Sequence, residues 1–211
     1  MKITEIKTYL MQAGAPSDSA WASDGSGHQT GSRNWLFVKV LTDEGIHGVG
    51  ECSGWPRVIE TAVRDLAGVL VGEDPAHIEK LWQKMMVAQM AHGVTGVVGG
   101  GAMAGIDMAL WDIKGKALGT PVWNLLGGQL RDRIRIYAHA STPEVALDLK
   151  RRGIGAVKTG GVRDPLRKVA EIREAVGDEV DIMVDLHGPP WMTPKDAIVL
   201  GRALEPYHLL F

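Results

Sequence analysis

Cysteine is almost absent from this chain. Cys52 is the only one in 211 residues, which excludes an internal disulfide and fits a reducing compartment. No apolar run approaches the roughly 20 residues that a membrane-spanning helix needs. There is no excess of either charge. The net charge of −2 gives no electrostatic footprint for nucleic acid or an acidic membrane surface. A phosphate-binding loop is also missing. Gly99-Gly-Gly-Ala-Met-Ala-Gly105 is rich in glycine, but it has no GK[ST] and no G-x-G-x-x-G after a strand. The opening residues Met1-Lys-Ile-Thr-Glu-Ile-Lys7 alternate and carry a glutamate early, so they read as a strand and not as a signal peptide. The expectation is a cytoplasmic protein with no nucleic-acid or membrane partner.

What is present is ordinary for a globular protein, with 45% hydrophobic and 23% charged residues. The 27 glycines cluster at turns and around 93–105. Residues 1–10, 35–41 and 46–52 alternate as strands, and Thr42-Asp-Glu-Gly45 forms the turn between the last two. Residues 12–34 form a long loop rich in small and polar residues that contains Trp21 and His28. Residues 57–70 and 76–91 carry apolar residues at helical spacing. Pro56 and Pro75 suit first-turn positions, and Asp74 suits an N-cap. After the glycine-rich 93–101, a further helix carries Met103, Ile106, Leu110, Ile113 and Ala117 on one face and stops at Gly119. Strands followed by helices imply an α+β domain over 1–130.

The pattern changes from 131. Strands start near 134, 156, 182 and 208, at intervals of 22, 26 and 26 residues. Between them, Thr142-Pro143, Asp164-Pro165 and Thr193-Pro194 each open a helix with an N-cap and a proline. Such a βα repeat implies parallel strands with right-handed crossovers, in a doubly wound sheet or a (β/α) barrel.

Both architectures place their sites at the carboxyl ends of strands. There, Asp181-Ile-Met-Val-Asp-Leu-His187 stands out. Alternation puts Met183, Asp185 and His187 on one face and Ile182, Val184 and Leu186 on the other. A buried charge must be paired or bound to metal. Lys158, on the preceding strand, shares its face with Ala156 and Gly160. If both faces point inward, an ammonium, a carboxylate and an imidazole converge. Asp185 then suits a hard cation such as Mg²⁺, and His187 suits general acid–base work. The competing reading is a Lys158–Asp185 ion pair at a barrel rim with a satisfied histidine. His139 ends the first of these strands and either lines the mouth or packs in the core. Trp21 and His28 belong either to a lid that contacts substrate or to packing. Glu51 and Cys52 read as structural.

The stretch Ala102-Met-Ala-Gly-Ile-Asp-Met-Ala-Leu-Trp-Asp-Ile-Lys-Gly-Lys-Ala-Leu-Gly-Thr-Pro-Val-Trp-Asn-Leu-Leu-Gly-Gly128 resembles the signature of the enolase superfamily, mandelate racemase subgroup. Asp43-Glu-Gly-Ile-His-Gly-Val-Gly-Glu51 and Asp74-Pro-Ala-His-Ile-Glu-Lys-Leu-Trp82 resemble that family's capping domain. Val184-Asp-Leu-His-Gly188 and Leu204-Glu-Pro-Tyr207 resemble its acid-sugar dehydratases of the galactonate and mannonate type. The resemblance implies an α+β capping domain, 1–130, followed by the first half of a (β/α) barrel, 131–211, cut at strand four. It implies Mg²⁺ as cofactor, with Asp185 as the first of three acidic ligands, His187 as the acid on the departing hydroxyl, and Lys158 as the first lysine of a Lys-x-Lys motif. Gly160 stands where racemases keep the second lysine, which argues against a two-base racemisation. Pro189-Pro190-Trp191 replaces the Gly-Arg that follows His-Gly in the dehydratase pattern, so arginine contacts to the substrate are not implied.

The implied reaction is dehydration of a sugar acid to a 2-keto-3-deoxy acid. The alternatives are an epimerase, racemase or cycloisomerase of the same superfamily, or a non-catalytic remnant acting as a binding module. Expected partners are a small-molecule sugar acid and, at full length, further copies of the chain. A complete barrel takes about 250 residues. The chain therefore reads as a piece of a longer enzyme, a shortened product, or a fragment that assembles with a complementary half. By itself it is expected to lack dehydratase activity.

Overall fold

The computed structural model describes residues 1–13, 33–90, 96–189 and 191–211. These fall into two compact units, divided between Leu130 and Arg131. Among the described residues, no helix is long and apolar enough to cross a membrane.

The first unit opens with an antiparallel meander of β1 (Ile3–Ala13), β2 (Arg33–Thr42) and β3 (His47–Cys52), in that spatial order. Gly45, at φ +78°, turns β2 into β3, and the Thr42 hydroxyl donates to the Ile46 carbonyl across that turn. Ile6, Val40 and Gly48 stand in register, as do Thr8, Val38 and Gly50, and then Leu10, Leu36 and Cys52. This face packs against α1 (Pro56–Leu70) and α3 (Val97–Leu118), α2 (Ile78–Gln89) packs against those two helices, and a short α4 (Val122–Leu125) follows. The core joins Leu36, Val38, Val40, Ile59, Leu66, Leu81, Ile106 and Leu110, among others.

Two expectations change here. The helix after Asp74 starts at Ile78, with His77 at its N-cap. The Asp74 carboxylate instead accepts from the Ala76 N–H, so it caps the turn before the helix, and Pro75 lies in that turn. The glycine-rich stretch was expected to precede α3, yet Gly99, Gly100 and Gly101 lie inside it. At Gly101, and at Gly105 further along, the reason is close backbone packing. A Cβ on Gly48 would strike the Ala109 carbonyl and one on Gly50 the Gly105 carbonyl. On the helix, a Cβ on Gly105 would strike Cys52 Sγ and one on Gly101 the Ser53 carbonyl. Helix propensity is given up where β3 and α3 touch backbone to backbone.

The second unit is a βα repeat: β4 (Ala138–His139), α5 (Pro143–Arg151), β5 (Ala156–Gly160), α6 (Pro165–Val176), β6 (Asp181–Asp185) and α7 (Pro194–Leu204), then a single 3₁₀ turn, Glu205–Tyr207. The strands are parallel in the order β4-β5-β6. Val157 and Ile182 point to the helices, into a core with Ala146, Leu149, Ile172 and Val176. Thr142 caps α5 by accepting from the Val145 N–H, and Thr193 forms a capping box with Asp196. Asp164 does not cap α6 in this way. It stands at φ 48° with no side-chain cap bond.

The expected strand over 134–139 shortens to Ala138–His139. Ala138 pairs with Val157, so residues 134–136 would need partners at 153–155, before β5 begins at Ala156. The expected strand at 208 forms no regular ladder, but Leu210 N–H donates to Ile182 O and Val184 N–H to Phe211 O, so the chain does run beside β6. Arg173, on α6, fastens this region. Its guanidinium donates to the carbonyls of Gly177, Val180, Tyr207 and His208.

Two tests follow from this packing. Gly50→Ala should lower stability by about 1–3 kcal/mol or prevent folding, because the obstructing atoms are backbone. Gly68→Ala, on an exposed part of α1 with open space around it, should raise stability by about 0.5–1 kcal/mol. Urea denaturation of the pair measures both, and equal effects would refute the close-packing account. The second test concerns pH. Lys84 and Lys80 hydrogen-bond the Glu73 carboxylate and lower its pKa from 4.5 to about 2. A depressed carboxyl contributes stability above its unfolded pKa and loses it as pH falls through the folded one. Glu73→Gln should therefore flatten the loss of stability between pH 4.5 and about 2, as read from denaturation midpoints across that range.

Candidate active site

The carboxyl ends of β4, β5 and β6 lie side by side, and their register assembles the polar groups. His139 opposes Lys158, Lys158 opposes Met183, and Gly160 opposes Asp185. Lys158 Nζ is 3.0 Å from Asp185 Oδ2, and His187 Nδ1 is 3.0 Å from Asp185 Oδ1. The structure thus brings together the lysine, carboxylate and histidine singled out from the sequence. Trp21 and His28 lie outside the described residues.

Backbone contacts steady this arrangement. Gly161 N–H donates to Asp185 O, Ala140 N–H donates to Lys158 O, and Lys168 Nζ, on α6, donates to Gly160 O. Gly188, at φ +96°, turns the chain away directly after His187. Lys158 is one-quarter exposed, Asp185 about one-third and His187 three-quarters. The cluster is therefore open to ligands and is not sealed in a core.

Its electrostatics follow from the contacts. The Lys158 hydrogen bond, and after it the His187 hydrogen bond, hold the Asp185 carboxyl below the ordinary carboxylate value, against a smaller opposing effect of burial. Asp185 is ionised at neutral pH and offers hard oxygen atoms. With Nδ1–H of His187 donating to that carboxylate, Nε2 is the nitrogen left to carry a proton to or from a ligand. The arrangement can hold an anion at Lys158, present oxygen to a cation at Asp185, and move a proton at His187.

Two neighbours extend the cluster. The Lys158 ammonium stands 5.9 Å from the centroid of the Tyr137 ring, within cation–π range. His139 Nε2 lies 3.9 Å from where a Cβ on Gly160 would stand. Sequence reasoning noticed His139 without assigning it and passed over Tyr137. The signal was there in the alternation, since 137 and 139 share a face.

Comparison with known proteins agrees with the fold. Residues 17–127 match the family described as mandelate racemase / muconate lactonizing enzyme, N-terminal domain, and residues 142–211 match the one described as enolase C-terminal domain-like. The D-galactonate dehydratase of Xanthomonas oryzae pv. oryzae (strain PXO99A) is 43% identical over 197 residues, covering 84% of this chain and 50% of that protein. The crystal structure of the 3,6-anhydro-D-galactonate cycloisomerase from Zobellia galactanivorans aligns at a TM-score of 0.83 and 31% identity, over 99% of this chain and 57% of that one. A mandelate racemase/muconate lactonizing enzyme from Sulfitobacter sp. aligns at 0.77 and 28%, over 100% and 58%. The chain spans about half the length of the curated relatives it matches. An α+β capping unit, the start of a parallel βα barrel and these matches together make the chain a member of the mandelate racemase/muconate lactonizing enzyme family of the enolase superfamily.

Proposed function

We propose that the chain forms the amino-terminal half of a sugar-acid dehydratase, with D-galactonate or a close relative as substrate. The observation that carries this reading is the Lys158–Asp185–His187 cluster at adjacent strand ends, with both Asp185 oxygens engaged. The likeness to D-galactonate dehydratases supports the choice of reaction.

Each residue then has a chemical role. Lys158 binds the substrate carboxylate and offsets its charge. The proton α to that carboxylate is removed by a base. His187 gives a proton from Nε2 to the β-hydroxyl, which leaves as water. The resulting enol tautomerises to the 2-keto-3-deoxy acid. Asp185, ionised and exposed on one side, fits a hard divalent cation in kind. Among the described residues no group of three His, Cys, Asp or Glu stands close enough to hold a metal, so this part of the chain contributes Asp185 alone. Mg²⁺, when bound, would offset the negative charge that builds on the substrate carboxylate as the α-proton leaves.

Cycloisomerisation is the second reading, and the fit to the Zobellia enzyme favours it. Its substrate class carries an internal ether where a galactonate carries free hydroxyls, so the two readings differ in which acid is consumed.

A hybrid tests the proposal. Residues 1–211 would be joined to the carboxyl-terminal half of the Xanthomonas D-galactonate dehydratase. The hybrid should release a 2-keto-3-deoxy acid from D-galactonate in Mg²⁺, and the 211-residue chain alone should release none. His187→Asn in the hybrid should cost about 10²–10⁴-fold in kcat, the usual contribution of a positioned acid or base. A folded hybrid that turns over 3,6-anhydro-D-galactonate and not D-galactonate would favour the cycloisomerase. Full activity after His187→Asn would remove the histidine from the mechanism.

The ion pair has its own test. With Lys158→Met, Asp185 loses the larger of its two stabilising hydrogen bonds. Its carboxyl should then titrate closer to the ordinary 3.8, followed by ¹³C NMR of the side chain. Because a depressed carboxyl stabilises the fold only above its unfolded pKa, the variant should also lose less stability on acidification. An unmoved midpoint would mean that the ammonium does not set the charge of Asp185.

A further inference from the structure

The strand that carries Asp185 is held along both edges. β5 pairs with one edge of β6. The other is met by the residues after the 3₁₀ turn, where Leu210 N–H donates to Ile182 O and Val184 N–H donates to Phe211 O. Alternate residues turn their backbone groups to the same edge of a strand, so Val180, Ile182 and Val184 form one row. The first carbonyl of that row takes a side chain where the next two positions take a chain. Arg173 Nη1 donates to Val180 O at 2.7 Å. The same guanidinium donates to Tyr207 O from Nε at 3.1 Å and Nη2 at 2.9 Å, and to His208 O at 3.2 Å. Arg173 thus ties the entry of β6 to the two residues that lead into 209–211. The distance along the chain from that clamp sets which carbonyl Leu210 meets.

We propose that Arg173 is a positioning residue for Asp185: by clamping Val180 to Tyr207 and His208 it sets 209–211 in register beside β6, and the bond between Val184 and Phe211 then fixes the strand end one residue before the carboxylate. This rests on Asp185 being a site carboxylate, and it holds whichever acid is consumed. Three features support the assignment. Every partner of Arg173 among the described residues is a backbone carbonyl, so its charge strengthens bonds to the main chain and neutralises no acid. Its planar fork presents donors in fixed directions and reaches four carbonyls at once, which the compact ammonium of a lysine does not. His208 stands at φ 47°, a left-handed backbone that is uncommon for a residue with a side chain, and the guanidinium holds its carbonyl. At the far end of β6, the 3.0 Å contact between Lys158 Nζ and Asp185 Oδ2 reports whether that end is in place.

The test uses the full 211-residue chain by NMR at neutral pH, with no acid or metal added. In Arg173→Lys the Val184 and Leu210 amides should exchange with solvent about tenfold faster, relative to Val169 inside α6, the effect of losing one charge-assisted hydrogen bond. The side-chain ¹³C signal of Asp185 should move toward its position in Lys158→Met. Lys150→Met is the control. Lys150, on α5, binds Val176 O and Glu179 and touches neither β6 nor 207–211. It should lower the denaturation midpoint and leave the Asp185 signal in place. An Asp185 signal that stays put in Arg173→Lys would overturn the assignment and leave Arg173 a structural clamp. Equal movement in Lys150→Met would overturn it too, since any loss of stability would then suffice. If Arg173→Lys does not fold, Leu210→Pro decides. It removes the Leu210 N–H and keeps the guanidinium, and it should move the Asp185 signal; no movement refutes the link. Because no acid is present, failure here leaves the dehydratase reading standing, and an inactive hybrid leaves this assignment standing.

Discussion

The register between β5 and β6 is the constraint on which the site depends. Gly160 opposes Asp185 and Lys158 opposes Met183. Side chains alternate strictly along a strand, so a slip of one residue would turn Asp185 toward the helices and set Val184 beside the lysine. Apolar packing on the other face prevents the slip. Val157 and Ile182 are fully buried against residues of α5 and α6, and neither strand can shift without exposing one of them. The polar half of each strand is thus positioned by its apolar half. The bond from Gly161 N–H to Asp185 O and the reach of Lys168 to Gly160 O tighten the same alignment at its open end.

The ion pair that results contributes chemistry more than stability. Both partners are partly exposed, and solvent-exposed pairs contribute about 0–1 kcal/mol. What the pair does is set the charge state. It extends the ionised range of Asp185 to lower pH, and the Asp185–His187 contact orients an imidazole by one nitrogen and leaves the other to exchange protons. Stability is supplied elsewhere, by the two apolar cores and by polar anchors such as Arg173, which gathers four carbonyls from the end of α6, the entry to β6 and the turn after α7.

Much of this was legible in the sequence where periodicity and punctuation agree. The three-strand meander, the helices and the βα repeat from 131 follow from alternation, helical spacing and Thr-Pro helix starts. What was not legible depends on contacts distant in sequence. Glycines at 99–101 read locally as a break, yet they lie in α3, and at Gly101 the Ser53 carbonyl leaves no room for a side chain. Asp164 carries the residue type of an N-cap, but a left-handed backbone at φ 48° leaves it without the cap bond. Ile134 and Ile136 have strand-forming side chains, but β5 begins too late to pair with them.

The same distinction explains which site residues stood out. Asp185 and His187 drew attention because a carboxylate and an imidazole beside Ile182 and Val184 are costly unless paired, and that cost can be read in one dimension. Lys158 followed once parallel strands were inferred, since only a neighbouring strand end could supply the partner. Tyr137 carries no such signal. An aromatic in a strand is ordinary packing until the ammonium opposite its face is known. Glycine at 160 is quieter still, because it enters the site only as an opening between His139 and Asp185. A sequence exposes the groups that are expensive to bury. It conceals those whose role is to leave room, and at this strand end Gly160 leaves the room between His139 and Asp185.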